Sequence, residues 1–193
     1  MIFLVRHGRT AINAGNKLQG RIDHPLDEVG QRQALELASG FSEIKIDRVL
    51  SSPLKRAMQT AQALSGKVEV DDRYIELDYG SFDGMLQADV PAETWKKWRS
   101  DNNFRPPGGE TLAELDLRVR QALNELIEEA GTKNIVVVSH VSPIKAAIAW
   151  SMGSDVGASW RMLLDRASIS RINIGPNGPV MHGFNDTSHL SEI

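Results

Sequence analysis

The sequence predicts an α/β fold, a three-layer αβα sandwich around a mainly parallel central sheet, and three observations carry that prediction. Ile2 to Val5 and Ile135 to Val138 are short, wholly apolar runs rich in β-formers, as expected of strands buried on both faces of a parallel sheet. Stretches with apolar residues at helical spacing lie between and after the strand candidates. Three strands stop abruptly at polar residues, Arg6-His7-Gly8, Ser51-Ser52-Pro53 and Ser139-His140. In an open α/β sheet, ligands bind at the carboxyl ends of the strands, so these three junctions are the first place to look for chemistry.

The elements follow in order. After the Ile2 to Val5 strand comes a long polar loop with Asn13, Gln19-Gly20 and Arg21, placed to wrap a ligand. From Asp27 the pattern is helical, with Ala34, Leu35, Leu37, Ala38 and Phe41 on one side. Ile46 to Leu50 reads as a strand. Ser52 as N-cap and Pro53 at the first helical position then predict a helix through Leu54, Ala57, Ala61 and Leu64, with Arg56 in its first turn. Val68 to Val70 is a further short strand. Residues from about 77 to 109 mix aromatics, carboxylates and glycines without a steady period and read as an irregular excursion on the substrate side. Within it Trp95 and Trp98 sit on one short helical segment. Thr111 and Glu114 form a capping box before a long helix that stops near Gly131. Ile135 to Val138 is expected to be central in the sheet. Ser142-Pro143 repeats the cap pattern of Ser52-Pro53 and predicts another helix, and the tail turns at Gly175 to Gly178 as an edge hairpin. Residues 1–193 are read as a single domain.

With 193 residues and a formal charge of −3, the chain can bury one sizeable core and has no overall attraction for nucleic acid or anionic membrane. The basic, aromatic turn at Trp95 to Arg99 is too isolated to suggest a nucleic-acid surface. Cysteine is absent, which excludes disulfides, thiol nucleophiles and thiolate metal sites. No stretch has the roughly eighteen successive apolar residues of a membrane span, and the expected location is the cytoplasm.

The candidate chemistry rests on Arg6, His7, Arg56, His140 and a carboxylate at Glu76 or Asp78. On the first junction alone, a solvated arginine and a satisfied turn histidine serve as well. Two histidines and one carboxylate reach the ligand count of a catalytic zinc site, but no HExxH helix is present and two arginines beside a cation would cost Coulomb energy. A serine-histidine-acid triad lacks the GxSxG elbow. Phosphoryl transfer fits the charges better. Two guanidiniums and helix N-terminal amides suit a phosphate dianion, and a neutral imidazole can attack phosphorus. A second, charged histidine can stabilise the equatorial oxygens, and a carboxylic acid can protonate the leaving alkoxide. No metal or other cofactor is needed.

Leu4-Val5-Arg6-His7-Gly8-Arg9-Thr10 with Asn13 resembles the opening signature of the histidine phosphatase superfamily, the phosphoglycerate mutase-like proteins. The likeness continues through Gln19-Gly20, Ser51 to Ala61, Glu76 to Gly84, Pro107 to Thr111 and Val138-Ser139-His140, and so spans nearly the whole chain. It implies a phosphoglycerate mutase-like sandwich and a metal-independent phosphomonoesterase acting on small phosphorylated metabolites. By the same resemblance His7 is the phosphate acceptor, Arg6 and Arg56 clamp the phosphoryl group, and His140 completes the pocket. Glu76 is then the proton donor, and Asn13, Gln19 and Gly20 lie on the substrate side. His140 is followed by Val141-Ser142 instead of the Gly-Asn pair similar to mutases. The run from Ser139 to Lys145 looks more like actinobacterial acid phosphatase and α-ribazole phosphatase domains. Cofactor-dependent phosphoglycerate mutase is the alternative within the superfamily, and an idle phosphate-binding or scaffolding module the alternative outside enzymes. The resemblance leaves a homodimer open, and the sequence has no distinct interface pattern.

Overall fold

The computed structural model describes residues 1–191. Six strands form one sheet: β1 (Ile2–Arg6), β2 (Arg48–Ser51), β3 (Glu69–Val70), β4 (Ile135–Ser139), β5 (Ile169–Gly175) and β6 (Gly178–Asp186), in the order β3-β2-β4-β1-β5-β6. The first four are mutually parallel, and β5 and β6 run antiparallel as a hairpin at the edge. β4 and β1 lie in the middle, as their unbroken apolar sequences predict.

Alternation along these strands builds the layers. Ile2, Leu4, Ile135 and Val137 face one core with α5 (Leu112–Ala130) and α6 (Val141–Ser151), through side chains such as Leu115, Val119, Leu123, Ile144 and Ile148. Phe3, Val5, Val136 and Val138 face the other core, with Leu37 and Phe41 from and just after α2 (Glu28–Gly40), and Ala57 and Ala61 of α3 (Lys55–Leu64). Burying one such aliphatic or aromatic side chain stabilises the fold by about 1.5–3 kcal/mol, which is why both faces of the central strands must be covered. The predicted three-layer sandwich is the observed architecture. A short α1 (Ala11–Ala14) lies in the first loop and α4 (Ala92–Ser100) carries Trp95 and Trp98.

Several boundaries differ from those the sequence predicts. β2 starts at Arg48, not Ile46, because its ladder partner β4 begins only at Ile135, which pairs with Arg48, while Asp47 caps the turn by accepting from the Asn134 amide. α3 starts at Lys55: Leu54 is extended (φ −70°, ψ 138°), and the Ser52 hydroxyl makes its short bond to His140. α6 starts at Val141, so Ser142 and Pro143 lie inside its first turn and His140 holds the cap position without a side-chain cap bond. The capping box of Thr111 and Glu114 on α5 is present in both directions. The excursion is held by a satellite core in which Trp98, 1% exposed, contacts Tyr79, Phe82, Trp95 and Phe104 edge-on or tilted at 5.4–5.7 Å between ring centroids.

Candidate active site

Register makes the site. Arg6 pairs with Ser139 and Val5 with Val138, while Val138 also pairs with Ser51, so the next residues of three adjacent parallel strands, His7, His140 and Ser52, emerge side by side on one rim. The rings of His7 and His140 stand 5.0 Å apart between centroids. Both are buried, and the Arg56 Nε donates to His7 Nε2 and to His140 Nδ1, each at 3.2 Å. His7 Nδ1 lies 2.7 Å from the Gly8 carbonyl, which can only accept, so Nδ1 carries the proton and Nε2 presents its lone pair. His140 Nδ1 accepts from Arg56, so the His140 proton is on Nε2, which donates to the Ser52 hydroxyl at 2.7 Å.

Arg56 is fully buried in the first turn of α3 and is held by carbonyls: Nη2 donates to Gly20 O at 2.7 Å and Nη1 to Ile22 O at 3.0 Å. Those carbonyls are fixed by Asp83, whose carboxylate accepts from the amides of Gly20, Arg21 and Ile22 at 2.7–2.9 Å. Gly20 therefore stands behind the cavity, not in it, with its N–H already engaged. A Cβ there would lie 2.7 Å from the Leu77 carbonyl, so the close approach requires glycine.

A cavity of about 580 Å³ opens in front of His7, and Arg6, Asn13, Gln19 and Glu76 line it. Among the described residues, eight buried side-chain nitrogen or oxygen atoms have no hydrogen-bond partner; three are donors of Arg6, Asn13 and Gln19. Arg6 gives Nη1 to the Leu164 carbonyl at 2.5 Å and leaves Nε unmatched. The Asn13 oxygen accepts from the Thr10 amide and the Gln19 oxygen from the Thr10 hydroxyl, which leaves both amide NH₂ groups unmatched. Buried donors without acceptors are costly, and their concentration on one wall fits an anionic ligand.

Glu76 enters from the far side, 3% exposed, and accepts from the Val141 and Ser142 amides at 3.1 and 3.2 Å and from Leu77 N at 2.8 Å. It thus caps α6 through space. Burial nevertheless raises its pKa above the ordinary carboxyl value, outweighing those amides and the attraction of Arg56. Asp78 instead turns away, to the Gly80 amide and Arg21. Burial, followed by the charges of Arg56 and Arg6, drives the His7 pKa well below its usual value. For His140 burial and then Arg56, His7 and Arg6 act in the same direction. The sequence reading gives the second histidine a positive charge; here its surroundings hold it neutral, and a phosphate dianion would oppose only the share that comes from the Arg56 and Arg6 charges. Arg6 itself is lowered to about 10 by burial and Arg166, and so stays charged at neutral pH.

Of the basic residues at 96–105, Arg99 lines the cavity and lies over the Trp95 ring, while Lys97 lies over Phe104 and Arg105 pairs with Glu114. The sequence reading missed Asp83 as the anchor of the Arg56 loop and Ser52 as the partner of His140. It also missed Thr60, which accepts from the Gly8 amide at 3.1 Å. No periodicity or capping rule marks contacts made across so many intervening residues. Among the described residues, no group of three or more histidines and carboxylates could hold a metal ion, and no helix is long and apolar enough to cross a membrane.

The sequence profile of the histidine phosphatase superfamily (branch 1) matches residues 2–187. The chain is 35% identical over 200 residues to phosphoserine phosphatase 1 of Hydrogenobacter thermophilus, covering 100% of this chain and 95% of that one. It is 33% identical over 205 residues to a probable phosphoglycerate mutase of Proteus mirabilis, again covering 100% of this chain and 95% of the other. Its fold matches the crystal structure of an Entamoeba histolytica phosphoserine phosphatase, a histidine-to-alanine mutant in complex with phosphoserine, with a TM-score of 0.90, 29% identity and 98% coverage of both chains. A profile that runs from the first strand to the end of the edge hairpin, over a fold and a two-histidine rim of this kind, leaves one conclusion: the chain belongs to the histidine phosphatase superfamily, branch 1.

Proposed function

We propose that this phosphatase hydrolyses small phosphomonoesters through a phosphohistidine on His7. The observation that carries the proposal is the unprotonated Nε2 of His7, held by the Arg56 guanidinium and close to the unmatched donors of Arg6, Asn13 and Gln19. In the first step Nε2 bonds to phosphorus as the ester P–O bond breaks, and the Glu76 carboxyl gives its proton to the departing alkoxide. In the second, the Glu76 carboxylate takes a proton from water, whose oxygen bonds to phosphorus as the P–N bond breaks, releasing phosphate. Arg6 and the Asn13 and Gln19 amides bind the phosphoryl oxygens, Arg56 and His140 steady the acceptor from behind, and Gly20 positions Arg56. The raised pKa of Glu76 and the lowered pKa of His7 suit these opposite roles, an acid still protonated and a base still free. Neither role calls for a metal. The phosphoserine phosphatases among the relatives support the reaction class. Charged phosphomonoesters do not cross a bilayer unaided, so we place the enzyme with them in the cytoplasm.

Mutase chemistry begins with the same transfer to His7 and differs in where the phosphoryl group goes. Purified wild type and His7→Ala should be assayed against a panel of phosphomonoesters and against 3-phosphoglycerate with and without 2,3-bisphosphoglycerate. Release of inorganic phosphate by wild type, abolished in His7→Ala, is expected. Rapid isomerisation to 2-phosphoglycerate with little free phosphate would overturn the phosphatase reading, and binding without turnover would indicate an idle module.

A further inference from the structure

Glu76 differs from the other residues of the site in what holds it. Arg6, His7 and His140 stand at strand ends and Arg56 in the first turn of a helix, whereas residues 76–79 belong to no helix or strand, so no ladder fixes the backbone behind the carboxyl. The polar groups of such a segment must be satisfied from outside it. Ser139 Oγ donates to the Tyr74 carbonyl at 2.6 Å, and Arg118, in the second turn of α5, supplies two further contacts. Its Nη1 donates to the Arg73 carbonyl at 2.6 Å and its Nη2 reaches the Glu76 carbonyl at 3.4 Å. The other edge of the guanidinium is taken by Glu110, with Nε donating to Oε1 at 2.7 Å and Nη2 to Oε2 at 2.9 Å. The Glu110 amide in turn donates to the Asp78 carbonyl at 2.9 Å. The pair therefore grips the segment on both sides of Glu76.

Resting on the phosphomonoesterase reading above, we infer that Arg118, locked by Glu110, is a positioning residue for the proton donor, setting where the Glu76 carboxyl meets the leaving oxygen. Both partners are largely buried, with side chains 18% and 12% exposed, and the two parallel bonds of the fork fix the guanidinium in one orientation. Its neighbours Leu115 and Val119 are fully buried in the core, so the clamp is mounted on a fixed helix. Neither Arg118 nor Glu110 lines the cavity, whereas Glu76 and Leu77 do, so the pair acts through Glu76 and not on substrate. The three amides that the Glu76 carboxyl accepts from orient it only while the backbone behind it stays in place. Proton transfer needs hydrogen-bond reach, and a displacement of about 1 Å costs on the order of a hundredfold.

Leaving groups that do and do not need a proton separate positioning from general damage. The alkyl ester is whichever of O-phosphoserine and glycerol 3-phosphate wild type turns over faster, the aryl ester is p-nitrophenyl phosphate, and kcat/KM reports the first transfer. In Arg118→Met the alkyl ester should lose about ten- to hundredfold and p-nitrophenyl phosphate less than about threefold, because a nitrophenolate leaves without a proton. Added to Glu76→Gln, the same substitution should cost almost nothing further on the alkyl ester, since its effect passes through that carboxyl. Glu110→Gln, a milder change that keeps an acceptor for Arg118, should show the same selectivity at smaller size. Equal losses on the two esters, full additivity in the double variant, or a selective loss in neither Arg118→Met nor Glu110→Gln would overturn the inference. Failure of the underlying reading looks different: Glu76→Gln would itself lose equally on both esters, or wild type would release phosphate from none of the three.

Discussion

His7 and His140 are both held neutral by burial against two guanidiniums, and that has a cost which depends on pH. In the unfolded chain each imidazole takes up a proton near pH ~6.5, whereas in the folded chain it does so only at much lower pH. The unfolded state therefore binds more protons below ~6.5, so the stability these residues contribute is fully present above that pH and is lost as pH falls through it. Each histidine weakens folding by up to ~1.4 kcal/mol per pH unit in that window. The thermal midpoint should fall as pH drops from about 7.5 to about 5.5, and the slope should flatten in a His7→Asn, His140→Asn double variant; an equal slope in that variant would contradict the assignment. Glu76 is shifted the other way, keeping its proton to higher pH. Glu76→Gln should slow hydrolysis of alkyl phosphates by about 10²–10⁴-fold, and of p-nitrophenyl phosphate much less, since a nitrophenolate leaves without a proton. Equal losses on both would mean that Glu76 serves only as the cap of α6.

At the scale of elements, the sequence was most informative where structure is local. The apolar runs of β1 and β4, the Thr111 and Glu114 box and the two-residue turn of the edge hairpin follow from neighbours in the chain. It was least informative where a cap comes from elsewhere. Ser52 and Ser142 look alike in sequence, yet the hydroxyl of Ser52 serves His140, while the amide of Ser142 is capped by Glu76 from 66 residues away. Asp83 was equally hidden: it reads as one more carboxylate in an irregular stretch, and only the fold brings the Gly20 to Ile22 amides to it. Because the carbonyls of that loop hold Arg56, Asp83→Ala should lower kcat/KM by about tenfold or more and also destabilise the fold, as three amides lose their acceptor. The chemical rescue of activity by added guanidinium is not expected, since Arg56 remains present but misplaced. Wild-type kinetics in Asp83→Ala would show that the loop holds Arg56 without it.

Across the whole molecule, the parallel order of β2, β4 and β1 turns three separate junctions into one rim. The sandwich was legible in the apolar strands, and Arg6, His7, Arg56 and His140 stand out because each sits at a strand end or a helix start, positions that sequence patterns mark; Glu76 lies in an irregular stretch and was singled out from Asp78 only by the family resemblance. The cavity's outer wall was not, because Trp95, Arg99, Lys145 and Trp160 come from three distant segments whose meeting depends on packing. The central claim is covalent transfer to His7, and its most direct measurement is an alkaline quench of wild-type enzyme during turnover of a ³²P-labelled phosphomonoester, followed by peptide mapping. The account predicts acid-labile, alkali-stable label on the peptide containing His7 and none in His7→Ala; label on a serine, or its absence under single-turnover conditions with active enzyme, would contradict it.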